Sequence, residues 1–476
     1  MRLVTKRRRP RVRVGLIVIA VGLGVAVPVE PALGERPETE RPAVRFTWLK
    51  GYDDPATPDN LDRVGVLKIG PERARNVLVL NPGTSAGAGY FKPLADDIVR
   101  KTHGRWQVWS VERRENQLED QSVLDLAKQG RATPQRLFEY YLGWLTIPGI
   151  TNHFQLIPNA SVAFARGWGM NVEIEDLHRV VRAAHEHDRR VVLGGHSLGG
   201  SIVTAYATWD FAGRPGVSEL AGLVYIDGGS SPKPVTPAQA TRSLNDLRHA
   251  SPWLSFGGIA APFAGLFNAV GSTTVHLEPD AVSRLQTWPL LPANLKPPVP
   301  ATNVGAYGFA LDTATSPAGL IAAQAHLGHL AAAGDPRGWD PGGELTPIQR
   351  FADMFSGTGL TGVDGTAWYH PQRLTIDSGA VGAGNANPAQ KLLDVRATHG
   401  DAVKVPIYAF AAALGGPRVL AAARALARQS HLPAKRLTLI DRHATYAHND
   451  PSSAFPRNDF LSHLLPFLGA IGQSRR

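Results

Sequence analysis

Cysteine is absent from all 476 residues. Disulfides, thiolate nucleophiles, cysteine-ligated metals and a lipid anchor on an N-terminal cysteine are therefore excluded. A second gap is local: residues 411–440 contain no aspartate or glutamate. A third concerns length. The uncharged apolar stretch 14–29 is shorter than the ~20 residues a spanning helix needs, and Pro28 closes it.

That stretch follows seven basic residues within the first 13 positions, among them Arg7, Arg8 and Arg9. Ala32 and Gly34 then supply small residues at the −3 and −1 positions of a cleavage site. Basic run, apolar run and small-residue site are the layout of a secretory signal peptide over residues 1–34. The expected destination is outside the cell or in the cell envelope. An uncleaved N-terminal membrane anchor is the alternative, and peripheral contact with the envelope is compatible with either. Of the formal charge of +10, the leader carries most; residues 35–476 hold 43 basic and 39 acidic residues, +4. So mild an excess gives no reason to expect nucleic acid as a partner. The sequon Asn159-Ala160-Ser161 has meaning only in a host that glycosylates.

At 43% hydrophobic and 19% charged, the body reads as globular, and 49 Gly with 37 Pro indicate many loops. Short β-rich apolar runs occur at 63–70, 77–80, 106–111, 191–193, 223–226, 407–410 and 437–440. Helical patterns occur at 92–100, 174–187, 201–209, 418–429 and 459–468. Strands alternating with helices predict an α/β fold with a mostly parallel sheet and helices on both faces. Residues 112–170 read as a long irregular or helical insertion. Residues 229–404, rich in Pro, Gly and Ala, break the rhythm, with helical patches at 319–333 and 348–355. The expected organisation is a core of 35–228 and 405–476 with 229–404 inserted.

Gly195-His196-Ser197-Leu198-Gly199 is a G-x-S-x-G pentapeptide between an apolar strand and a small-residue helix. A tight strand-to-helix turn would lift the Ser197 hydroxyl clear of the sheet, and flanking glycines avoid steric clash there. The helix N-terminus would aim N–H groups at developing negative charge. Acyl transfer needs two such donors. The N–H of Leu198 is one candidate. The other is the N–H of Thr84, with Ser85 next, in Asn81-Pro82-Gly83-Thr84-Ser85-Ala86-Gly87 after the second strand.

A base is expected between the last strand and the last helix, where His443 and His448 lie. His448 sits deeper in the loop and is preferred on geometry. His196 adjoins Ser197 and is expected to point elsewhere. The acid is the awkward member, because the stretch after the penultimate strand has none. Asp227, at the carboxyl end of the strand 223–226, is the preferred candidate; Asp450 and Asp377 are the alternatives.

Together the elbow GHSLGG, the NPGTSAG loop, Asp227 and the late His448 resemble the α/β-hydrolase superfamily, and within it the lipase/esterase-like members. The resemblance spans about 76–111, 172–230 and 402–470 and has the family order Ser, acid, His. It implies an eight-stranded, mostly parallel sheet with 229–404 as a cap over the site. Two departures stand out. Asn81 occupies a position where many members have histidine. The acid position after the penultimate strand is empty, as in a less common family variant that carries the acid one strand earlier. The implied activity is hydrolysis of a small-molecule or lipid carboxylic ester through a serine acyl-enzyme, without cofactor or metal. Acyl transfer to an alcohol and a non-catalytic exported binding protein are the alternatives.

Overall fold

The computed structural model describes residues 42–231, 233–382 and 386–473. The leader expected at 1–34 lies outside them. Eight strands form one sheet: β1 (Val44–Lys50), β2 (Arg63–Ile69), β3 (Asn76–Asn81), β4 (Trp106–Glu112), β5 (Arg190–His196), β6 (Gly222–Ile226), β7 (Ile407–Ala411) and β8 (Leu437–Asp441). Their order is β1-β2-β4-β3-β5-β6-β7-β8. β2 is antiparallel to both neighbours, and every other adjacent pair is parallel. This is the eight-stranded, mostly parallel sheet expected from the sequence.

The apolar runs are continuous because both faces of the central strands are covered. In β5, Val191 and Leu193 join one core and Val192 the other. The same alternation places Leu223 and Tyr225 of β6 opposite Val224 and Ile226. Helices α2 (Met170–His185), α3 (Leu198–Thr208) and α4 (Pro417–Gln429) cover the first face. Helices α1 (Lys92–Lys101) and α5 (Asp459–Gln473) cover the second. α2 packs Ile174, Leu177, Val180, Val181 and Ala184, its apolar stripe at helical spacing, against the sheet.

The connection from β6 to β7 runs through residues 227–406. It holds helices Phe263–Leu277, Asn303–Leu311 and Ile348–Ser356 and a ribbon of His329–Gly334 with Arg337–Asp340. Among the described residues none of its strands joins the main sheet. A third apolar cluster joins this connection to the 112–170 segment. It includes Leu124, Leu137 and Tyr141 from one and Leu266, Trp288 and Trp368 from the other.

The helical patch expected at 348–355 is present, but the one at 319–333 is not. That run is a short 3-10 turn, Ala318–Ala323, followed by the strand His329–Gly334. Its alanines favour helix, yet tertiary contacts override propensity. Asp450 holds the His326 N–H at 3.0 Å, and Gly328 turns the chain at φ 115°.

Leu193 is wholly buried in the middle of the sheet, whereas Leu156 is 42% exposed. Leu193→Ala is expected to lower stability in urea unfolding by about 2–5 kcal/mol. Leu156→Ala should change it by less than about 0.5 kcal/mol. Equal losses would show that β5 is not at the centre of the core.

Candidate active site

Ser197 alone joins β5 to α3, at φ 57° and ψ −123°. For a residue with a side chain this conformation costs on the order of 1–3 kcal/mol and persists only where its surroundings enforce it. Two backbone bonds do so: Ser197 N–H donates to Ile226 O at 3.0 Å, and Gly200 N–H donates to Ser197 O at 2.9 Å. A Cβ at Gly195 would lie 2.1 Å from Gly199 O, and one at Gly199 would lie 2.1 Å from Asn81 O. Strand, helix and the β3 loop therefore meet backbone to backbone, which only glycine permits.

Asp227 follows β6 directly, with φ 44°. Its Oδ1 accepts from the N–H groups of Ala412 at 2.7 Å and Gly415 at 3.1 Å. Its Oδ2 accepts from Leu414 N–H at 3.2 Å and from His448 Nδ1 at 2.6 Å. Burial alone would raise this carboxyl; the bond from His448 and the backbone donors outweigh it and hold Asp227 below its usual value. The acid-free stretch after β7 thus contributes backbone N–H groups that grip a carboxylate sent from the neighbouring strand.

His448 is almost fully buried. Its carbonyl accepts from His196 Nε2 at 2.9 Å, and the two rings lie 4.2 Å apart. The expectation that His196 points elsewhere is corrected here: it packs beside His448 and supports its backbone. Burial, with the neighbouring His448, holds His196 down at about 3, so its imidazole is neutral and Nε2 carries the donated proton. Tyr90 stacks on His196 at 5.0 Å and donates to Asn449 Oδ1 at 2.9 Å, gripping the His448 loop from the next residue. Sequence reading missed Tyr90 and Asn449, because neither lies in a motif.

The other histidine and the other acids have separate partners. His443 bonds Asp441 at 2.6 Å, both about half exposed. Asp377 accepts from Arg373 Nε at 2.7 Å and Met170 N–H at 2.9 Å. Asp450 accepts from His326 Nδ1 at 2.6 Å, Thr346 Oγ1 at 2.9 Å and Ala447 N–H at 2.7 Å. It ties the β6–β7 connection to the His448 loop.

Gly83, Thr84, Ser197 and His448 line one cavity of about 130 Å³. Leu198 turns its side chain toward the core, and its N–H, as the first of α3, has no intrahelical acceptor. Behind the Thr84 loop lies Arg113, 1% exposed. It donates to Pro82 O at 2.9 Å, Gly83 O at 2.9 Å and Ala86 O at 3.3 Å. Its Nε bonds Glu115 at 2.8 Å. Asn81 donates to Glu173 Oε1 of α2 at 2.7 Å. Neither Arg113 nor Glu173 carries a sequence signal beyond following an apolar strand or lying on a helix.

No family model and no curated protein matches this chain. Its architecture is similar to that of several solved structures. A thioesterase domain from the curacin biosynthetic pathway aligns over 90% of this chain and 99% of its own, at 11% identity and a TM-score of 0.41. For a soluble variant of monoglyceride lipase from Saccharomyces cerevisiae the values are 93%, 98%, 10% and 0.37. For a haloalkane dehalogenase from Bradyrhizobium elkani they are 90%, 99%, 9% and 0.39.

The Asp450 bond holds His326 above the ordinary histidine value, with burial opposing. Stability from a raised histidine is fully present below its unfolded value of about 6.5 and is lost as pH rises through the folded one. The stability gap between wild type and His326→Gln in urea unfolding is therefore expected to be widest below about pH 6 and to shrink toward pH 9. A gap that does not vary with pH would show that the pair does not titrate.

Proposed function

We propose that this α/β-hydrolase-fold chain is an exported serine hydrolase that cleaves carboxylic esters through an acyl-enzyme. The observation that carries the reading is the Asp227–His448 pair at 2.6 Å, with His448 and Ser197 on the wall of one cavity. Ser197 Oγ attacks the ester carbonyl carbon while His448 Nε2 takes its proton. Asp227 holds the imidazole with Nδ1 protonated, leaving Nε2 free to accept. The carbonyl π electrons move onto oxygen, and the N–H groups of Thr84 and Leu198 receive that charge. Collapse expels the alcohol, which takes the proton back from His448. Water then repeats the sequence on the acyl-enzyme.

The cavity wall supports an apolar group on the substrate. Phe256, Phe267, Leu285, Leu295, Leu311 and Phe355 contribute to it, all from the β6–β7 connection, which acts as a cap over the site. Several polar residues in the wall are engaged internally. Gln286 bonds Pro297 O, Val299 O and Ala301 N–H. Asn303 bonds Glu278 O, and Asn268 accepts from Tyr307. A buried surface with its polar groups already paired favours hydrocarbon over hydroxyls. The basic and apolar leader at 1–34 supports export, to the medium or the cell envelope.

A fluorophosphonate probe is expected to label Ser197 in the purified mature protein, located by mass spectrometry, and to leave Ser197→Ala unlabelled. Asp227→Asn should slow ester turnover on the order of 10⁴-fold, as loss of the orienting acid does in a serine triad. Asp450→Asn should fall far less. A folded wild-type protein that takes no label would remove the enzyme reading and favour a binding protein of the same fold.

A further inference from the structure

The N–H assigned to the oxyanion on the β3 side belongs to Thr84. The carbonyl of that same peptide unit belongs to Gly83, and Arg113 Nη2 donates to it at 2.9 Å. This bond is trans, so its C=O and N–H point in opposite directions. Fixing the oxygen against Arg113 turns the N–H away from that side chain, and the loop runs so close to Ser197 that a Cβ on Gly83 would lie 2.8 Å from Ser197 Cβ. The same guanidinium holds Pro82 O and Ala86 O, on either side. From the opposite flank, Ala367 N–H holds Ser85 O at 3.0 Å and Gly87 N–H reaches Gly365 O at 3.1 Å. Three of the loop's carbonyls thus converge on one buried side chain.

We propose that Arg113 is the positioning residue of the oxyanion site, acting through the Gly83–Thr84 peptide. The inference rests on the serine-hydrolase reading above. Arg113 touches no reacting atom. A glycine-containing loop such as Gly83–Thr84 can rotate a peptide plane at little steric cost. Rotation here would turn the Gly83 carbonyl, a second partial negative charge, toward the developing oxyanion. The Arg113 fork blocks that rotation. It also polarises the peptide, since a hydrogen bond accepted at C=O strengthens the donor at N–H of the same unit. Glu115, paired with it at 2.8 Å, offsets its charge, and Glu173 and Glu112 lie close enough to offset it further. Geometry, not charge, is therefore the active property. A lysine, compact and without a planar fork, cannot hold three carbonyls in this arrangement.

The test compares wild type with Arg113→Lys and with the double variant Arg113→Gln/Glu115→Gln, which removes the guanidinium together with the carboxylate paired to it. Hydrolysis of p-nitrophenyl butyrate and inhibition by an alkyl trifluoromethyl ketone are measured, after urea unfolding has shown each variant to be folded. The ketone adds Ser197 Oγ to its carbonyl carbon and leaves an oxyanion in the hole, whereas the ground-state ester does not. Loss of an oxyanion donor costs about 10²–10³ in kcat. Arg113→Lys is expected to lower kcat roughly 10- to 100-fold with KM within about twofold. The ketone Ki should rise by the factor by which kcat/KM falls, in both variants. Full activity in folded Arg113→Lys would overturn the inference by showing that charge alone suffices. A kcat loss with unchanged Ki would overturn it as well, because the oxyanion site would then be intact. If neither variant folds, Ala367→Pro, which removes the opposing donor to Ser85 O, must reproduce the parallel shift in kcat/KM and Ki; unchanged Ki there overturns the inference. A wild type that neither reacts with a fluorophosphonate nor turns over the ester defeats the hydrolase reading instead, a distinct result.

Discussion

The carboxylate of Asp227 is the point at which the site is tied together. It ends β6, receives three backbone N–H groups from the turn after β7, and binds His448 from the loop after β8. Three consecutive strand ends are thereby fixed to one another through four hydrogen bonds on two oxygens. A buried carboxylate is costly unless its lone pairs are satisfied. Here the donors that satisfy it are also what hold the imidazole. Asp227 can hold His448 from the end of β6 because the turn after β7 supplies donors to its carboxylate.

A comparable arrangement lies on the other side of Ser197. The β3 loop is held from behind by Arg113 and from its flank by residues 364–367 of the β6–β7 connection. Beneath it Glu112 accepts from Ala88 N–H and from Asn116, and burial raises it to about 8. Glu173, bonded to Asn81, is likewise raised by burial to about 7 despite Arg113. The cavity wall is mostly apolar, while the polar atoms that shape the backbone are placed behind it. Such a division lets backbone N–H groups face the cavity without free side-chain acceptors beside them.

The connection between β6 and β7 is tied to the rest of the fold at several points. It anchors to the His448 loop through His326–Asp450, and Asn449 reaches back to Ala322 O and Gln324 O. It shares an apolar core with the 112–170 segment. Two excursions that the sequence shows only as breaks in a strand–helix rhythm thus stabilise each other, since neither has a sheet face of its own to cover.

Much was legible in the sequence for reasons of local chemistry. Continuous apolar runs, buried on both faces, marked the central strands, and the stripe from Ile174 to Ala184 marked α2. Ser197 was legible because a one-residue strand-to-helix turn demands glycine on both flanks, and that demand leaves a pattern. His448 and Asp227 were singled out by their places after particular strands. What the sequence did not contain is who meets whom across distance. His196 beside His448, Tyr90 on Asn449 and Arg113 under Gly83 pair residues 30 to 359 positions apart, and the alanine run at 319–333 reads as helix until Asp450 and Gly328 are known to bend it. Local order follows from residue type and spacing, because backbone preferences and burial act over a few residues. The electrostatics of the site depended on the fold, because a buried charge can be stabilised only by donors that the tertiary structure carries to it.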